Sequence, residues 1–225
     1  MNRPLALSTP SASTGWGASI ARHRVLRNTY ALLSMTLLFS AAIAGLAVAL
    51  QAPPAGLVIT LVGYFGLLFL VHKLQHSGWA IPVVFALTGF MGYTLGPVLA
   101  KHLALPGGAQ TIALALGATG ATFLALSAWV LATRRDFSFM GGFLFAGMVI
   151  AVLAGLGAMF LQLPALSLAV SAMVALLSAG MILFETSRIV NGGETNYVLA
   201  TVGLFVSLFN LFTSLLSLFG FGSND

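Results

Sequence analysis

Residues 181–216 read MILFETSRIVNGGETNYVLATVGLFVSLFNLFTSLL, from Met181 to Leu216. A long apolar segment ends in Phe184-Glu185-Thr186-Ser187-Arg188, turns through Asn191-Gly192-Gly193-Glu194, and re-enters apolar sequence at Tyr197. Two of the four acidic residues of the chain, Glu185 and Glu194, sit in this one hairpin. The rest of the chain reads as apolar bundle, short loops and a polar tail.

Composition carries that reading outward. Of 225 residues 59% are hydrophobic and only 6% charged, with mean hydropathy +1.04. A soluble domain carries about 25% charged residues, so the chain is an integral membrane protein. With no cysteine there is no disulfide framework, thiolate catalysis or cysteine-ligated metal. The net charge of +5 comes from arginines and lysines clustered between apolar segments, where they orient helices in a bilayer. No basic stripe interleaved with aromatics points to nucleic acid.

Met1 to Gly17 is rich in Ser, Thr, Pro and Gly and lacks the pattern of a secretory signal, its apolar run beginning only near residue 30. The expectation is a flexible cytoplasmic tail over residues 1–28, with Arg22, Arg24 and Arg27 anchoring the first span. A membrane domain over 29–221 and a short tail over 222–225 follow.

A helix needs about 20 apolar residues to cross the hydrocarbon core. Charges, prolines and glycine-polar clusters divide the chain into seven such segments: about Tyr30–Leu50, Ala55–Val71, Trp79–Ala100, Ala109–Ala132, Phe139–Leu161, Ala165–Phe184 and Tyr197–Phe219. The fold expected is an all-α polytopic bundle. With the N-terminus inside, the inner loops hold Arg3, Arg22, Arg24, Arg27, Lys73, Arg134, Arg135 and Arg188, against Lys101 alone outside. That bias sets the N-terminus in the cytoplasm and, after seven spans, the C-terminus in the periplasm. Glycines such as Gly92-x-x-x-Gly96, and those around Gly141, Gly142, Gly155 and Gly157, suit close backbone approach between helices.

No enzyme site is found. His23, His72, His76 and His102 fall in loops or the tail, and no glutamate follows His72 to make a zinc site with His76. Ser127, Ser171 and Ser178 lie in spans without a histidine at their depth, and are expected to bond a carbonyl one turn back or to bridge helices. Glu185 stands out. It follows a long uncharged run near the inner interface, where an ionisable group marks a candidate site. Two readings stay open: a functional acid, or a carboxylate at interfacial water paired with Arg188 one turn on. Arg188 is equally readable as an orienting charge. In the last span Ser207, Asn210 and Ser214 share one helical face, expected to point into the bundle.

At this hairpin the sequence resembles the Bax inhibitor-1 family of seven-helix membrane proteins. The likeness rests on Phe184-Glu185-Thr186, on Ser207 to Leu216 (SLFNLFTSLL), on Asp136-Phe137-Ser138-Phe139-Met140-Gly141-Gly142 and on Gly89 to Gly96 (GFMGYTLG). Ile189 to Tyr197 (IVNGGETNY) is similar to the hairpin of a bacterial branch, the YccA type. The resemblance implies six helices around a central seventh, in a bacterial inner membrane. Calcium-leak members close a pore with two aspartates, one on each of the last two spans, and coupled carboxylates would make that latch pH-sensitive. For this chain the resemblance leaves a calcium or proton leak around Glu185 as the alternative. Here the first position is Glu185 and the second aligns with Ser207, while Ala55–Val71 lacks the basic residue such members carry. The resemblance therefore implies instead the role of the YccA type. That role is a substrate and modulator of the ATP-dependent membrane protease FtsH, near its HflK–HflC partner complex. No cofactor is implied. Glu185, Arg188, Ser207 and Asn210 are the candidate functional residues.

Overall fold

In hydrocarbon every backbone N–H and C=O must be satisfied within its own segment, so uninterrupted apolar sequence becomes helix. The computed structural model describes the backbone of residues 13–221, with side chains from His23 onward. It holds α1 (Ser13–Ala49), α2 (Leu57–Leu74), α3 (Ala80–Leu103), α4 (Gly108–Thr133), a short 3₁₀ turn (Ser138–Met140), α5 (Gly141–Leu161), α6 (Pro164–Asn191) and α7 (Tyr197–Phe221). All seven α-helices are long and apolar enough to cross a membrane.

The expected segments are all present, with shifted ends. α1 begins at Ser13, so residues 13–28 are helical although their composition suggests tail; no proline interrupts the chain between Ser13 and Ala49. The remainder of that tail, residues 1–12, and residues 222–225 lie outside the described part. α6 runs through Glu185 and Arg188 to Asn191. His23, His72 and His102 are likewise helical rather than in loops. His102 ends α3 with its ring nitrogen 2.8 Å from the Val98 carbonyl.

α7 is the central helix. It packs against α1, α3, α4 and α6, while α2 packs on α3 and α5 on α6. Leu204, Phe205, Leu208 and Leu211 of α7 bury themselves with Leu33, Val84, Leu87 and Ile182. Outward surfaces are apolar: Val58, Ile59, Val62 and Phe69 on α2, and Phe143, Phe145 and Phe160 on α5, are all exposed. Such faces belong against lipid tails.

Between apolar helices attraction comes from close contact rather than from water, and α3 shows how. A Cβ at Gly92 would collide with the Ser40 carbonyl of α1, one at Gly96 with Ala47, and one at Gly89 would stand 2.8 Å from the Phe39 ring. Gly141 likewise lies beneath the Phe184 ring. Gly142 and Gly157 face open space, so sequence spacing overstated their part in packing.

Candidate functional site

The IVNGGETNY hairpin is built from local chemistry. α6 stops at Gly192, whose φ of +80° is a left-handed conformation that glycine adopts without penalty. Glu194 N–H then donates to the Arg188 carbonyl at 3.0 Å. The Glu194 carboxylate accepts the Asn196 amide at 2.8 Å. The Asn196 side chain in turn accepts the Val198 amide at 2.9 Å, capping α7. Its amide group donates to the Gln75 carbonyl and side chain, both at 3.3 Å, tying the hairpin to the end of α2.

That turn folds Glu194 back over α6, and Arg188 sits between two acids. Its guanidinium donates to Glu194 at 3.0 Å and approaches Glu185 at 3.8 Å. The same cation lies over the Phe184 ring, 5.5 Å from its centroid. The pairing of Arg188 with Glu185 expected from one-turn spacing is present, yet Glu194 is the closer partner. Glu185 is only 8% exposed. It faces α7 at Gly203, where a Cβ would stand 2.8 Å from the carboxylate. A glycine is what lets that acid lie flat against the central helix.

A cavity of about 450 Å³ opens beside this carboxylate, between α2, α5, α6 and α7. His72, Arg188 and Glu194 line its mouth at the hairpin end; Tyr64, Phe145, Glu185, Gly203, Ser207 and Asn210 line it deeper. From Leu199 to Asn210 it follows α7 for about 16 Å at 1.5 Å per residue. All four candidate residues, Glu185, Arg188, Ser207 and Asn210, thus border one space. Ser207 is 2% exposed and donates to its own helix at the Gly203 carbonyl, 2.8 Å away. Asn210 is half-buried and Ser214 buried, as a shared inward face requires.

Ser187 is the residue that sequence reading passed over. It is fully buried. Its hydroxyl accepts the Phe137 amide at 2.8 Å and donates to the Arg135 carbonyl at 3.2 Å. Asn191 also donates to that carbonyl, at 3.3 Å. So two of the stretches that carried the resemblance, Phe184-Glu185-Thr186 and Asp136 to Gly142, are tied together through Ser187, the residue that follows the first. Asp136, outside the spans, accepts the Ser138 amide at 2.8 Å. Hydrogen bonds from the Ser138 side chain and amide, with a smaller one from Ser187, hold its carboxyl below the ordinary range. Among the in-span serines, Ser171 bonds the Ser167 carbonyl one turn back at 3.0 Å, and Ser127 approaches Thr186 across helices at 3.5 Å. Ser178 departs from expectation, buried with no partner among the described residues.

Comparison with known proteins bears on the same span of sequence. A family model described as inhibitor of apoptosis-promoting Bax1 matches residues 22–224. The chain is 53% identical over 206 residues to the modulator of FtsH protease YccA of Escherichia coli K12, covering 92% of this chain and 94% of that protein. It is 48% identical over 201 residues to an uncharacterized protein of Pseudomonas aeruginosa PAO1, covering 89% of this chain and 90% of that one. An uncharacterized membrane protein of Vibrio cholerae matches end to end at 43% identity.

Proposed function

From the premise that this chain belongs to the Bax inhibitor-1 family, we propose that it is a multi-pass inner-membrane modulator of the protease FtsH. One observation carries the reading: 53% identity, with nearly the full length of both chains paired, to a protein named for that activity.

The mode is binding rather than chemistry. The protein occupies FtsH in the bilayer, near HflK–HflC, and spares other membrane substrates. In this reading the bias of the sequence, with Arg24, Arg27, Lys73, Arg134, Arg135 and Arg188 on one side of the spans and Lys101 on the other, supports a cytoplasmic N-terminus and a periplasmic C-terminus. Met1 to Gly17 then lies on the side where an ATP-driven unfoldase needs a handle. The test is degradation of a membrane substrate by FtsH in proteoliposomes, with and without this protein. Degradation slows severalfold in its presence, and deletion of residues 2–17 lengthens its own lifetime. An unchanged degradation rate sinks the reading.

A second reading is favoured by the cavity running from the hairpin to Asn210 past Glu185. It would admit calcium or protons as a leak. Of the two latch positions only Glu185 is acidic, since Ser207 stands where the second acid would, and that argues against a two-carboxylate latch. Flux through the purified protein in liposomes across pH 5 to 8, abolished in Glu185→Gln, would promote this reading; silent liposomes would remove it.

A further inference from the structure

α1 and α4 both rest on the central helix, and the seam between them is open at both ends. Their rings meet midway, Tyr30 of α1 against Phe123 of α4 at 5.9 Å between centroids. On the basic side of that contact lies a groove of about 700 Å³, lined by His23, Arg24, Leu26, Arg27, Tyr30 and Leu131. On its other side lies an apolar crevice of about 540 Å³, walled by Leu37, Ala44 and Gly45 of α1 and by Leu116, Gly120 and Phe123 of α4.

The basic groove has no counter-charge among the described residues. Among the described residues the acids are engaged elsewhere: Glu185 and Glu194 flank Arg188, and Asp136 accepts from Ser138. Arg24 and Arg27 stand one turn apart on the same face of α1, where like charges repel. Snorkelling to interfacial water would suit either arginine alone. It does not account for Tyr30, which lines the same groove and whose hydroxyl is buried with no partner among the described residues. Two guanidinium groups and a hydroxyl that lacks an acceptor, in one groove, fit a phosphate and its ester oxygens. Directly past the ring contact the lining turns mostly apolar, with Ser40 and Thr119 its hydroxyl residues, and Gly45 and Gly120 leave open space where side chains could have been.

We propose that the α1/α4 seam binds one anionic phospholipid, its phosphate held by Arg24 and Arg27 and an acyl chain laid past Tyr30–Phe123 into the crevice. The dimensions agree. From Arg27 to Ala44 is 17 residues along α1, about 26 Å at 1.5 Å each, enough for a headgroup and an extended chain. Basic recesses between membrane helices recognise anionic headgroups by the same chemistry.

The test is native mass spectrometry of the full-length protein in detergent, offered phosphatidylglycerol and phosphatidylcholine with identical acyl chains. The parent prefers phosphatidylglycerol, and Arg24→Gln with Arg27→Gln lowers that preference roughly tenfold to thirtyfold. Lys73→Gln with Arg135→Gln removes the same charge elsewhere. Arg135 lies over Trp129, two residues from Leu131 and so on another face of α4. That control keeps the parent's preference within about twofold of its value. Tyr30→Phe, which leaves the ring packing intact, also lowers the preference. Gly120→Leu fills the crevice and weakens both lipids alike. No preference in the parent, or an equal loss in the charge-matched control, overturns the headgroup site. Unchanged binding in Gly120→Leu overturns the chain site.

Discussion

At the scale of single residues, Ser187 shows how one hydroxyl can hold two sequence stretches together. The loop after α4 must turn back at the membrane edge, and its Phe137 amide has no partner in regular structure. Ser187 accepts that amide and returns its own hydrogen to Arg135. Ser187→Ala takes the partner from a part-buried N–H, a loss of about 1 kcal/mol. Thermal unfolding in detergent should show a lower midpoint for this variant, while Ser171→Ala, whose hydroxyl bonds only its own helix, leaves the midpoint unchanged within error. Equal effects from both would argue against the staple. The Glu185 site obeys a related economy of space: the carboxylate reaches the central helix because position 203 has no side chain to exclude it.

At the scale of helices, glycines divide by what faces them. Gly92 of α3 abuts the backbone carbonyl of Ser40 in α1, and backbone cannot move aside as a side-chain tip can. Gly157 of α5 faces nothing within reach. An added methyl improves helix propensity by about 1 kcal/mol at either site. At Gly92 the collision costs about 1–3 kcal/mol or more and dominates. Gly92→Ala should therefore lower the unfolding midpoint in detergent, whereas Gly157→Ala should raise it or leave it unaltered. A stable Gly92→Ala protein would mean that α1 and α3 slide apart at little cost. The apolar surfaces of α2 and α5 need no such contact, because lipid covers them.

At the scale of the whole molecule, the two ends of the bundle differ in kind. One gathers Arg24, Arg27, Lys73, Arg134, Arg135 and Arg188; the other carries Lys101. A chain without cysteine makes the orientation directly measurable. In whole cells, Lys101→Cys should react with a membrane-impermeant maleimide and Lys73→Cys should react only after lysis. The reverse pattern would invert the bundle and place the hairpin, with Arg188 and Glu194, on the periplasmic side.

Sequence alone determined the class of the protein, its seven spans and the unusual standing of Glu185. These are matters of composition and period. A run of apolar residues that cannot leave a backbone group unbonded in lipid has one solution, and a lone acid at its end is conspicuous. The helix ends were less legible. α6 could continue two turns past Phe184 because nothing before Gly192 breaks it. Tertiary structure decided what faces what. Only packing could reveal that Glu194, six residues from Arg188, folds back as its nearer partner. The same is true of Gly203 making room for Glu185, and of Ser187 answering an amide fifty residues away in the chain. Partners of that kind depend on how helices rotate about their axes and how turns return. In a uniformly apolar sequence little periodicity survives to encode either, so close contacts between helices settle them.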